Sequence, residues 1–159
     1  MPKVSAGILL YRKRPGGLEV LLAHSGGPLW VNRDRGAWSI VKGEVQPDED
    51  LKTTALREFR EETGFELPAE LVPLAPIRQR GGKLVHAFAA EGEIDTDRVV
   101  SATFSMQWPP GSGKVQEFPE IDRAHFFPVD VAKEKINQAQ RSFIEELERL
   151  VASGTTPNR

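Results

Sequence analysis

Three carboxylates stand where local rules would place bases. Glu58, Glu61 and Glu62 lie within Gly43 to Phe65, GEVQPDEDLKTTALREFREETGF. At about 100° per residue on a helix, they share one arc, with Glu58 facing Glu61 at i,i+3 and Glu62 at i,i+4. Like charges at these spacings repel by about 0.2–0.5 kcal/mol per pair on an exposed helix. In a partly buried cleft, at about 6 Å and an effective dielectric near 20, the repulsion rises to roughly 3 kcal/mol. All three also sit in the last two turns, at the negative end of the helix dipole. A hard divalent cation would relieve both conflicts. Carboxylate oxygens suit Mg²⁺ or Mn²⁺, and Mg²⁺ shares its shell with phosphate and water. The competing reading is a solvated acidic face neutralised by Arg57 and Arg60.

The elements that must hold these acids can be read from the pattern. Pro47 and Asp48 are expected to open the helix, with Asp48, Glu49 and Asp50 in its first turn, and Gly64 to end it after Thr63. Leu51, Ala55, Leu56 and Phe59 form the face that packs on a sheet. Val4–Tyr11 and Leu18–Ala23 flank the turn Arg14-Pro15-Gly16-Gly17 and predict a hairpin. A polar, glycine-rich loop follows from Ser25 to Gly36, then a brief strand over Ala37–Val41. Further strands are expected over Leu71–Leu74, Leu84–Ala90 and Ser101–Trp108, with Pro73 confining the first to an edge. Trp108–Lys114 is a loop, and Phe126, Phe127 and Val129 close the strand region. A helical turn over Val131–Lys135 precedes a last helix from near Asn137, with Phe143, Ile144, Leu147, Leu150 and Val151 on its apolar face. Strands surrounding one strong helix give an α+β pattern with a mixed or antiparallel sheet.

The bulk properties set limits. With 159 residues the chain is read as one domain over 1–152, with a frayed tail at 153–159. It has no cysteine, hence no disulfide, thiolate metal site or thiol catalysis. A formal net charge of -2 argues against a protein that coats nucleic acid or anionic lipid. No stretch reaches the roughly 18 apolar residues of a membrane span. The N-terminus lacks a signal-peptide pattern, so the expected compartment is cytoplasmic.

The segment Gly43–Phe65 resembles the Nudix box, Gly-x5-Glu-x7-Arg-Glu-apolar-x-Glu-Glu-x-Gly-apolar. All nine defined positions are filled: Gly43, Glu49, Arg57, Glu58, Phe59, Glu61, Glu62, Gly64 and Phe65. Trp38-Ser39-Ile40 leading into Lys42-Gly43-Glu44 extends the likeness. Val41 departs from it, since many relatives carry proline there. The resemblance implies an α/β/α sandwich with a mixed sheet (an α/β fold in the broad sense) and hydrolysis of a nucleoside diphosphate linked to another group. It implies Mg²⁺ (or Mn²⁺) as cofactor, held by Glu58, Glu61 and Glu62 and the Gly43 carbonyl. Arg57 would hold Glu49 and Glu61 in place.

Such a reaction needs a base for water and contacts for phosphate. Glu61 and Glu62 are base candidates inside the box, and Glu117 or Glu120 in the acidic stretch Gln116–Asp122 outside it, with Glu117 preferred. Lys42 and Lys83 are the phosphate candidates, beside the further basic residues Arg78, Arg80, His86 and Lys114. Trp30, Trp38 and Trp108 could stack on a base. Trp38 is assigned to the core, and Trp108 is the preferred stacking residue. His24, His86 and His125 make no zinc constellation. The expected function is Mg²⁺-dependent hydrolysis of a small-molecule phosphoanhydride, of the nucleoside triphosphate or dinucleoside polyphosphate class. The alternative is a non-catalytic Nudix-fold module that senses a nucleotide. The sequence leaves the oligomeric state open.

Overall fold

Val4–Arg14 (β1) and Gly17–Ser25 (β2) form the hairpin that Pro15-Gly16 imposes, with Arg14 opposite Gly17 and Tyr11 opposite Val20. The molecule is described from a computed structural model over residues 3–67 and 70–154. Of the tail expected from Ser153, residues 155–159 lie outside the described ones. β1 is buried on both faces, which explains its near-continuous apolar run. Its other edge pairs in parallel with Leu84–Glu91 (β7), Val4 lying opposite Leu84.

The strand expected over Ala37–Val41 is instead two. Trp38–Ser39 (β3) pairs with β2, and Val41–Glu44 (β4) pairs with β1. The break falls at Ile40, whose N–H donates to the Gln140 side chain at 3.0 Å rather than to a strand. Two further edge pieces, Val72–Pro73 (β5) and Ile77–Arg78 (β6), lie on β7. Thr103–Gln107 (β8) and Val115–Pro119 (β9) make a separate two-stranded sheet around the expected loop. The acidic stretch after that loop is therefore strand, turning at Glu120 into Ile121–Pro128 (β10), which pairs with β2. Among the described residues the main sheet has eight strands, ordered β10-β2-β1-β7-β5 with β3, β4 and β6 alongside.

Helices cover both faces. Leu51–Thr63 (α1) places Ala55 and Phe59 against Ala6, Ile8, Leu10 and Leu21. Val129–Lys135 (α2) and Arg141–Ala152 (α3), the latter entered through a 3-10 turn at Gln138–Gln140, cover the opposite face. There Phe143, Ile144 and Leu147 meet Leu9, Tyr11, Val20 and Trp38. The result is a mixed sheet between helical layers, as the sequence pattern and the box both indicate. Among the described residues no helix is long and apolar enough to cross a membrane.

α1 starts four residues later than Pro47. Asp50, not Asp48, is the N-cap, its carboxylate accepting the Thr53 N–H at 2.7 Å. Asp48 takes a left-handed conformation (φ 64), and Glu49 turns aside to accept from Gln46, Thr54 and Arg57. The acids expected in the first turn thus precede it. Gly64 ends the helix as expected, at φ 83 with its N–H on the Arg60 carbonyl at 2.8 Å. Asp50→Ala is expected to cost about 1 kcal/mol, and Asp48→Asn less than about 0.5 kcal/mol. Urea denaturation midpoints at constant slope check the difference.

Candidate active site

The end of α1, β4 and the root of the β8–β9 hairpin enclose a cavity of about 520 Å³. Glu58, Glu61 and Glu62 reach it from the helix, Gly43 and Lys42 from β4, Lys83 from the entry to β7, and Glu120 from the turn between β9 and β10. The structure thus gathers acids and bases that are scattered over nearly eighty positions of sequence into one cleft.

Arg57 organises the acidic wall. Its Nε donates to Glu49 at 2.7 Å, and Nη2 donates to the same carboxylate at 3.0 Å. Nη1 donates to Glu58 at 2.9 Å and to Glu61 at 3.0 Å. Glu49 is held well below the usual carboxylate range, to about 2, by Arg57 first and then by the Thr54 and Gln46 donors. Arg57 is therefore the neutralising base of the acidic face, whereas Arg60 points to Glu66 at 3.9 Å.

Glu58 lies against the backbone of Gly43. A Cβ built there would overlap the Glu58 carboxyl group, so glycine is required for the close approach. Burial pushes the Glu58 carboxyl up, with Arg57 pulling the other way. Glu62 is 8% exposed, and its hydrogen bond comes from the Ser101 hydroxyl at 3.2 Å. Among the described residues no cation lies within 4 Å of it. Burial first, then the nearby Glu120 and Glu58 charges, push Glu62 up to about 7. Burial likewise raises Glu120.

Two lysines, Lys42 and Lys83, line the same cavity. Burial, then the neighbouring Lys83 ammonium, bring Lys42 down to about 8. Two ammonium groups that repel each other beside an acidic wall form a place for a polyanion.

The cleft does not include two of the residues expected in it. Glu117 is exposed on β9, opposite Ser105, and the cavity's acid from this stretch is Glu120. Trp108 sits at the hairpin tip, its carbonyl accepting from Gln116. Trp38 is core, as expected. Ser101 was not legible as a site residue, since its sequence context carries no motif. Its hydroxyl accepts the Ile121 N–H at 3.0 Å and so ties Glu62 to the start of β10, next to Glu120.

The NUDIX domain model matches residues 1–147. The chain belongs to the Nudix family. No curated protein matches it in sequence. Solved structures share the fold. A C. elegans Ap4A hydrolase in a binary complex is 22% identical with TM-score 0.63, over 94% of this chain and 98% of that one. The NUDIX domain of Shewanella oneidensis NrtR complexed with ADP ribose is 17% identical with TM-score 0.63, over 95% and 89%. A mutT/nudix family protein from Listeria innocua is 17% identical with TM-score 0.61, over 97% of each chain. As a Nudix protein with a complete box, the chain is a pyrophosphohydrolase, an acid anhydride hydrolase.

Nudix enzymes generally use divalent metals, and the donor set here fits a hard cation in kind: five carboxylates line one cavity, and Arg57 donates to two of them. As it stands the set is not closed. Among the described residues no three acidic, histidine or cysteine side chains converge on one point, and Arg57 engages Glu58 and Glu61.

Glu62 gives a pH signature. Between its ordinary value of 4.5 and about 7, the folded state keeps a proton that the unfolded chain releases. Metal-free stability is therefore expected to fall as pH rises through that window. Urea denaturation in chelator at pH 4.5 and 7 should show the fall in the parent, and less of it in Glu62→Gln.

Proposed function

We propose that this Nudix protein hydrolyses, with Mg²⁺ (or Mn²⁺), a phosphoanhydride bond in a nucleoside diphosphate linked to another group, of the nucleoside triphosphate or dinucleoside polyphosphate class. The observation that carries this reading is the meeting of both charges on one cavity. Lys42 and Lys83 line it together with Glu44, Glu58, Glu61, Glu62 and Glu120. A polyphosphate satisfies the lysines directly and the carboxylates only through a cation. The Ap4A hydrolase and the domain complexed with ADP ribose, similar to this chain in fold, support a nucleoside on the substrate.

Glu58, Glu61 and Glu62, with the Gly43 carbonyl, would hold the ion. Bound there, it would neutralise charge on the phosphoryl oxygens and make a nearby water more acidic. The chain's own groups do the rest. Lys42 and Lys83 orient the phosphates and offset the charge that grows on them. Arg57 fixes Glu58 and Glu61 through Nη1. Glu120, raised by burial and without a cation among the described residues within 4 Å, accepts the proton of the attacking water. It takes the role first expected of Glu117.

Incubation with Mg²⁺ and a panel of phosphoanhydrides, with phosphate or mononucleotide release as readout, tests the reading. The parent is expected to turn over and Glu61→Gln to fail. Glu120→Gln should lose about 100-fold or more in kcat with an unchanged denaturation midpoint, while Glu117→Gln keeps the parent's rate. The reverse result would move the base to Glu117.

A further inference from the structure

The cleft offers a base no ring to stack on. Among the described residues none that lines it is aromatic. Phe104 and Phe118 of the adjoining hairpin face each other, with ring centroids 6.0 Å apart. A nucleoside whose phosphates lie in the cleft must therefore place its base on a neighbouring surface.

The loop over 26–36 supplies one. It exposes three consecutive large apolar side chains, Leu29 at 60%, Trp30 at 38% and Val31 at 58%. Such a run on a fixed element marks a contact surface. The loop is fixed. The buried His24 holds it through Nε2, 2.6 Å from the Arg33 carbonyl oxygen. Trp38 Nε1 donates to Asp34 at 2.8 Å, and the Gly36 N–H donates to the Glu134 carbonyl at 3.2 Å. Arg33 stands over the indole of Trp30, 5.7 Å from its centroid.

The loop also begins on the cavity wall. Ser25 lines the cavity, and the next N–H, of Gly26, donates to the Glu120 carbonyl at 3.0 Å. A Cβ on Gly26 would overlap the Pro119 carbonyl, so the loop is seated directly on the hairpin root. The Trp30 N–H donates to the Gly27 carbonyl at 3.2 Å, closing a turn that keeps their Cα atoms within about 7 Å. Trp108 is five strand positions beyond Thr103, the hairpin residue on the cavity wall, a distance of roughly 17 Å. Trp30 lies one folded turn and two residues beyond the lining residue Ser25, whereas Trp108 lies the extended length of the hairpin beyond Thr103.

We propose that Trp30, presented by the 26–36 loop and backed by Arg33, is the stacking surface for the base of a nucleotide whose phosphates occupy the cleft. The inference rests on the hydrolase reading above. It makes the enzyme selective for phosphoanhydrides that carry a nucleoside, and tolerant of which base they carry, because every base has a stacking face.

Calorimetric binding of ADP and of inorganic pyrophosphate, each with Mg²⁺, separates the base from the phosphates. Trp30→Ala is expected to weaken ADP binding by roughly 5- to 150-fold and to leave pyrophosphate binding as in the parent. Trp30→Phe should restore most of the ADP affinity. In turnover of a nucleoside substrate, Trp30→Ala should raise KM more than it lowers kcat. ADP binding unchanged in Trp30→Ala, or lost in Trp108→Ala instead, would overturn the proposal. So would sedimentation in which Trp30→Ala splits a parent dimer, since a second copy would then occupy the loop. A parent that hydrolyses no phosphoanhydride would instead remove the hydrolase reading, a result distinct from all of these.

Discussion

The cleft depends on one guanidinium. Arg57 holds two oxygens of Glu49 with Nε and Nη2, and shares Nη1 between Glu58 and Glu61. Its Nη2 also reaches the Glu44 carbonyl at 3.3 Å. Only a planar fork with several donors makes those contacts at once, and a lysine ammonium would not. The arginine does two things for the fold. It screens carboxylates crowded at the negative end of a helix dipole. It also straps the turn before α1 to the side of the helix, so the segment leading out of β4 is positioned along with the acids.

What Arg57 does not screen is as informative. Glu62 and Glu120 face the cavity with raised proton affinity, while Lys42 has a lowered one. Each group is less comfortable in its charged form than it would be in water. A cation between the acids and an anion across the lysines would relieve both. Ligand binding and fold stability are then coupled, because whatever binds only the folded chain stabilises it.

The sequence revealed the box helix, its glycine stop and the opening hairpin, because each rests on local chemistry. It misplaced the start of α1, since Asp48 and Asp50 are interchangeable as caps by type. The choice of Asp50 was made by Arg57, seven residues on, drawing Glu49 away. The break at Ile40 was invisible because its partner, Gln140, lies a hundred positions downstream. The two-residue strands β5 and β6 are too short to show a period. Glu117 and Glu120 are alike in type and setting. Only the pairing of β9 with β8, and the turn that follows it, decides which of them faces the cleft.

The parallel pairing of β1 with β7 has a consequence for how the molecule is made. Val4 lies opposite Leu84, so the two central strands are separated by 80 positions along the chain. Closing so large a loop before any contact rewards it is entropically costly, and contacts of this range slow folding. The opening hairpin and α1 can form early on the ribosome from local contacts alone. Lys83, at the entry to β7, joins Lys42 only after the sheet centre has closed. The pairing of the two lysines is thus a property of the finished topology, acquired late in the life of each newly made chain.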